Sequence, residues 1–280
     1  MNSQSQETLR RVTQNDPLLT ELTLDDYIDC DDDGEFYSEN SDDYSTLGAA
    51  IASNTHLESL EVTLSDDLPL GVADRGFYDG LKSNSSINNL RLWCDGQNIA
   101  GGVGQEILKV YQEFNSQLTV LGIYDTDLQN GGDRVIADTL RCCRNLHKVT
   151  VNNCNIADAQ LLPIVDAMRG HMLMDLNFVG NNIGNVGCGA LATLLIDPNC
   201  NLHKLDLWGN NIADEGAIII ANSLVNNTKI QELDLYDNNI ANAGCDAIAS
   251  LLTDPNCNLR TLNLGRNAIT TEGATTIANS

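Results

Sequence analysis

The chain has 280 residues, of which 42% are hydrophobic and only 5% aromatic, and its formal net charge is −24. A surface this acidic repels phosphate backbones and anionic membranes, so neither nucleic acid nor a membrane is an expected partner; a protein with a basic surface is. No run approaches the roughly 18 apolar residues of a membrane span, and nine cysteines without a CxxC pair point to reduced thiols and a cytoplasmic location, with the nucleus compatible.

In chain order, residues 1–18 are expected to form an N-terminal capping segment. Met1 to Arg11 lacks the apolar stretch of a signal peptide or anchor, and Glu7 to Gln14 suits a short capping helix. Residues 19–280 read as one repeat domain of about nine units, the last incomplete. Between the first unit, at Leu19, and the second, at Leu57, the spacing stretches to 38 residues. The extra length is an acidic insertion over residues 25–45; residues 25–43 hold ten acids and no base, the composition of a solvated, mobile loop. Inside it, Asp29-x-Asp31-x-Asp33-Gly34 matches the opening of a calcium loop. Asn40 stands where that loop needs a bidentate glutamate, and Leu22-Thr23-Leu24 reads as strand where it needs a helix. Asp29, Asp31 and Asp33 are therefore weak metal-ligand candidates, and no cofactor is expected.

The repeat is clearest toward the C-terminus. Leu202-x-x-Leu205-x-Leu207-x-x-Asn210-x-Ile212 is followed by the same frame from Ile230 and from Leu259. It extends upstream from Leu173 and Leu146, and more loosely from Leu118, Ile87, Leu57 and Leu19. From Leu118 onward the starts lie 28, 27, 29, 28 and 29 residues apart. The alternating leucines mark a half-buried strand. The asparagine at the ninth position can bond backbone groups where the chain leaves the strand; Cys154, Thr126 and Asp95 depart from it. Each unit closes with a helix: Ala217, Ile220, Ala221 and Leu224 fall on one face, as do Cys188, Leu191, Ala192, Leu195 and Cys245, Ile248, Ala249, Leu252. Asp-Pro-Asn at 197–199 and 254–256 ends the helix. On this alignment Cys154, Cys188 and Cys245 are small buried hydrophobes, and Cys142-Cys143 has no place in the pattern. One strand and one helix per unit give an α/β solenoid, because packed helices need about 8–10 Å where strands need about 4.8 Å. The stack bends into a horseshoe with parallel strands on the concave face and helices on the convex face.

The 27–29-residue period, the LxxLxLxxNxI strand and the EGAxxIAxSL helix resemble the ribonuclease-inhibitor-like leucine-rich repeats, over about residues 19–280 and most closely after Leu146. That family includes ribonuclease inhibitors, Ran GTPase-activating proteins and the repeat arms of innate-immune receptors. The resemblance implies a non-enzymatic scaffold that binds another protein through its concave face. Alternatives are a GTPase-activating regulator of the Ran type and a ligand-sensing arm of an immune-type receptor. The histidines, serines and cysteines form no catalytic constellation, and the glycines at 101, 102 and 104 lack the lysine of a phosphate loop.

Positions 3, 5, 7 and 8 of each unit are expected to face solvent on the concave side. Position 7 carries Trp93, Tyr124, Trp208 and Tyr236, including both tryptophans of the chain. Lys204 and Glu232 stand at position 3, Asp206 and Asp234 at position 5. These eight residues are the candidate protein contacts, since tryptophan and tyrosine are favoured anchors. The last unit stops within its helix pattern without a polar cap, so self-association through its apolar edges is an expectation.

Overall fold

In the computed structural model of the chain, residues 1–25, 35–65, 70, 74–114 and 117–280 are described. Asp29, Asp31 and Asp33, and with them the calcium-loop motif, lie outside the described residues. The chain divides into two compact units, Met1–Leu146 and His147–Ser280.

In the first unit, helix α1 (Ser3–Thr13) leads into strands β1 (Glu21–Leu24) and β2 (Glu35–Phe36), helix α2 (Ser41–Ser53), β3 (Ser59–Thr63), α3 (Arg75–Ser83), β4 (Asn89–Trp93), α4 (Gly102–Glu113), β5 (Val120–Tyr124) and α5 (Gly132–Cys142). The strands pair in parallel in the order β2-β1-β3-β4-β5. Leu22, Leu60, Leu90 and Leu121 share one register row, and all are buried. The capping helix is longer than Glu7–Gln14: it starts at Ser3, where the Asn2 side chain accepts the Ser5 N–H.

The C-terminal part of the acidic insertion departs from the solvated-loop reading. Glu35 and Phe36 form β2 at the edge of the sheet, and Phe36 and Tyr44 are fully buried against each other, their rings 5.3 Å apart. A count of charges hides these two aromatic side chains, whose burial outweighs the acids around them.

In the second unit β6 (Lys148–Asn152), α6 (Asp158–Ala167), β7 (Asp175–Asn177), α7 (Asn185–Leu195), β8 (Lys204–Asp206), α8 (Asp214–Leu224), β9 (Glu232–Asp234), α9 (Asn242–Leu252), β10 (Thr261–Asn263) and α10 (Thr271–Ala278) alternate strictly. Its strands are parallel and in sequence order, and Leu205, Leu233 and Leu262 are register partners. The fold is the α/β leucine-rich repeat that the leucine spacing predicts, with strands on one side and helices on the other. Ala217, Ile220, Ala221 and Leu224 are all buried. In α7 and α9 the buried face is shifted slightly: Ala192 and Leu252 stay half-exposed, while Leu251 is buried.

The ninth-position asparagines bind the unit together. Asn210 Nδ2 donates to the carbonyls of Phe178 and Leu207, both at 3.0 Å, and Asn210 Oδ1 accepts the Ile183 N–H at 3.0 Å. Asn181, Asn238 and Asn267 repeat the pattern. Each amide thus satisfies backbone groups of its own repeat and of the preceding one, groups that the turn out of the strand would otherwise bury without partners.

Candidate functional site

The sheet face opposite the helices is open to solvent because odd positions of each strand point away from the leucine core. In the first unit it carries Glu61, Arg91, Trp93 and Tyr124. The Trp93 and Tyr124 rings stack at 4.1 Å and 12°. Trp93 Nε1 donates to Glu61 Oε1 at 2.7 Å, and Arg91 bridges Glu21 at 2.9 Å and Glu61 at 3.3 Å. Tyr124 lies back over Gly122: a Cβ there would come within 2.7 Å of the tyrosine ring. Where the strands end, Asp25, Glu61, Thr63, Trp93, Asp95 and Asp125 line a cleft of about 350 Å³.

In the second unit the open face is built in three rows. The position-3 row runs Lys148, Asp175, Lys204, Glu232 across successive strands, with Lys148–Asp175 at 3.0 Å and Lys204–Glu232 at 3.6 Å. These pairs are solvent-exposed and add little to stability; they fix an alternating charge pattern.

The position-5 row places Asp206 beside Asp234 in register. Asn177 donates to Asp206 at 3.4 Å, and Asn263 to Asp234 at 3.0 Å. Each carboxylate also accepts a backbone N–H two residues on, from Trp208 at 3.2 Å and from Tyr236 at 2.8 Å. Partial burial pushes the Asp206 carboxyl above the ordinary carboxylate range, against the backbone bond from Trp208, and the neighbouring Asp234 charge adds to the rise. In the position-7 row Trp208 is 45% exposed. It meets Tyr236 edge-on at 5.5 Å, and the Arg266 guanidinium lies 5.7 Å from the Tyr236 ring centre.

All eight candidate residues therefore lie on open sheet faces. The structure gathers the aromatics as two separate pairs, since Asn152 and Val179 hold position 7 on β6 and after β7. Sequence reasoning placed Asn177 and Asn263 at position 5 beside the two aspartates but not their bonds to them, and it missed the glycines that make room for the tyrosine rings. Gly122 stands at position 5 of its repeat and Gly265 at position 7. Among the described residues no group of three or more His, Cys, Asp or Glu side chains is arranged to hold a metal ion, and no helix is long and apolar enough to cross a membrane.

The family of leucine-rich repeats matches residues 171–192, 199–221, 226–249 and 256–278. Those four stretches read as leucine-rich repeats. Among curated proteins, the repeats are 28% identical to mouse (Mus musculus) ribonuclease inhibitor over 159 residues, 56% of this chain and 34% of that protein. They are 29% identical to human (Homo sapiens) NACHT, LRR and PYD domains-containing protein 2 over 157 residues, 55% of this chain and 15% of that protein. The matches thus cover about a third or less of either relative's length. An internalin structure from Listeria monocytogenes aligns over 99% of this chain and 93% of its own, at 16% identity and a TM-score of 0.47. Leucine-rich repeats of this kind are protein-interaction scaffolds, since their stacked strands expose one extended face.

Proposed function

We propose that this protein is a non-enzymatic scaffold, located in the cytoplasm, whose open sheet faces receive a protein partner with a basic surface. The carrying observation is the second unit's face, where the exposed Trp208 and its neighbour Tyr236 adjoin the register-paired Asp206 and Asp234. A large exposed aromatic is a favoured interface anchor, and carboxylates beside it select a partner of opposite charge. The net charge of −24 sets the sign of the partner. An affinity capture from the source cell, run in parallel with wild type, Trp208→Ala and Tyr236→Ala, tests this. A basic protein retained by wild type and lost from both variants supports the reading; equal recovery by all three overturns it.

A further inference from the structure

Trp93 and Trp208 are the two tryptophans of the chain. Each meets a tyrosine at the equivalent position of the following repeat: Tyr124 at 4.1 Å, Tyr236 at 5.5 Å. In both pairs a glycine makes room for the tyrosine ring. A Cβ on Gly122 would come within 2.7 Å of Tyr124, and one on Gly265 within 2.7 Å of Tyr236. In both, carboxylates stand alongside. The Trp93 pair adjoins the cleft lined by Asp25, Glu61, Asp95 and Asp125, where Glu61 is paired with Arg91; the Trp208 pair adjoins Asp206 and Asp234. One aromatic pair beside two or more acids therefore occurs twice, once in each unit.

The occupant follows from charge and shape. The register-paired Asp206 and Asp234 repel one another, as do carboxylates gathered around one cleft, and an incoming cation relieves that repulsion. The flat face of an aromatic ring next to them selects a planar, weakly hydrated cation over a compact, strongly hydrated one, that is, guanidinium over ammonium. The molecule already shows the contact: the Arg266 guanidinium sits over the Tyr236 ring.

We infer that the protein carries two subsites of one chemistry, the Trp93–Tyr124 pair and the Trp208–Tyr236 pair, and that each takes one arginine side chain of a basic partner protein. The inference rests on the protein-binding reading and adds to it the valency and the residue recognised.

The two tryptophans make the test direct. Labelling the full chain with 5-fluorotryptophan gives two fluorine resonances, assigned with Trp93→Phe and Trp208→Phe, and each reports its own pair. The probe is a synthetic peptide of alternating glycine and arginine, with a glycine–lysine peptide of the same length as comparison. Both resonances are expected to move saturably with the arginine peptide, and several-fold more weakly with the lysine peptide. Asp95→Asn with Asp125→Asn abolishes the response of Trp93 alone, and Asp206→Asn with Asp234→Asn that of Trp208 alone, in variants whose circular dichroism matches wild type. If only one resonance moves, or both move equally with lysine, the inference fails and the protein-binding reading stands. If neither moves while Trp208→Ala still loses the captured partner, the arginine chemistry is wrong and the scaffold reading survives. If neither moves and capture is indifferent to Trp208, both fall.

Discussion

Asp214 and Gly244 belong to successive repeats and share a hydrogen bond: Asp214 Oδ1 accepts the Gly244 N–H at 2.8 Å and the Ala241 N–H at 2.7 Å. The first residue of α8 thus caps the start of α9, whose own N-cap residue, Ala241, has no side chain able to do so. Asn185 does the same for α8 through Ala213 and Gly216. Helix capping in the second unit passes from repeat to repeat.

Removing the cap destabilises two repeats at once. Asp214→Ala is expected to cost about 1–2 kcal/mol, the usual range for a lost N-cap, whereas Asp214→Asn stays within about 0.5 kcal/mol because Asn185 fills the equivalent place. Gly244→Ala sets a Cβ 2.9 Å from Asp214 Oδ1 and 2.6 Å from Ile240 Cγ2, and the overpacking costs about 1–3 kcal/mol. Urea unfolding of the three variants checks the order.

Asn210→Ala leaves the Ile183 N–H and the Phe178 carbonyl without their side-chain partner. A loss of about 2–3 kcal/mol is expected, since buried backbone groups lose their bonds and gain no water. Trp208 fluorescence follows the unfolding, and a midpoint equal to wild type would contradict the role given to the asparagine ladder.

The raised carboxyl of Asp206 sets a pH signature. Its folded-state affinity for a proton exceeds its unfolded one, so the stability it contributes is complete below the ordinary carboxylate range near 4 and is lost as pH rises through its folded value. Asp206→Asn is therefore expected to stabilise the protein at pH 7 by a few tenths of a kcal/mol, the scale of cross-strand repulsion. That gain should disappear below about pH 4. Thermal midpoints of wild type and variant at pH 7 and pH 3.5 measure it.

Burial pushes the thiols of Cys94, Cys143 and Cys188 up to about 12, whereas Cys142 is exposed. At pH 8 iodoacetamide should alkylate Cys142 while those three resist until urea is added, because the thiolate is the nucleophile. Peptide mapping that found Cys188 labelled in the folded protein would contradict its buried place.

Binding driven by an acidic face should weaken with salt. Raising sodium chloride from 50 to 500 mM is expected to slow association of the captured partner by about tenfold or more, with dissociation changed less. Surface plasmon resonance separates the two rates.

The sequence by itself determined the repeat: leucines at every second strand position, an asparagine at the ninth and a helix face at i, i+3, i+4 and i+7 each answer to a local period. It also placed the candidate residues of each unit on that unit's open sheet face, because position within a repeat sets direction. Tertiary structure decided what depends on the next repeat. The caps by Asp214 and Asn185 lie in a different repeat from the helices they serve, and no N-cap signal shows at Gly184, Ala213 or Ala241. β2 forms within an acid-rich segment because Phe36 and Tyr44 find each other and the edge of the sheet. The aromatic row became two pairs because ring packing depends on which small residue lies beneath, and that neighbour comes from the fold as well as from the spacing along the chain.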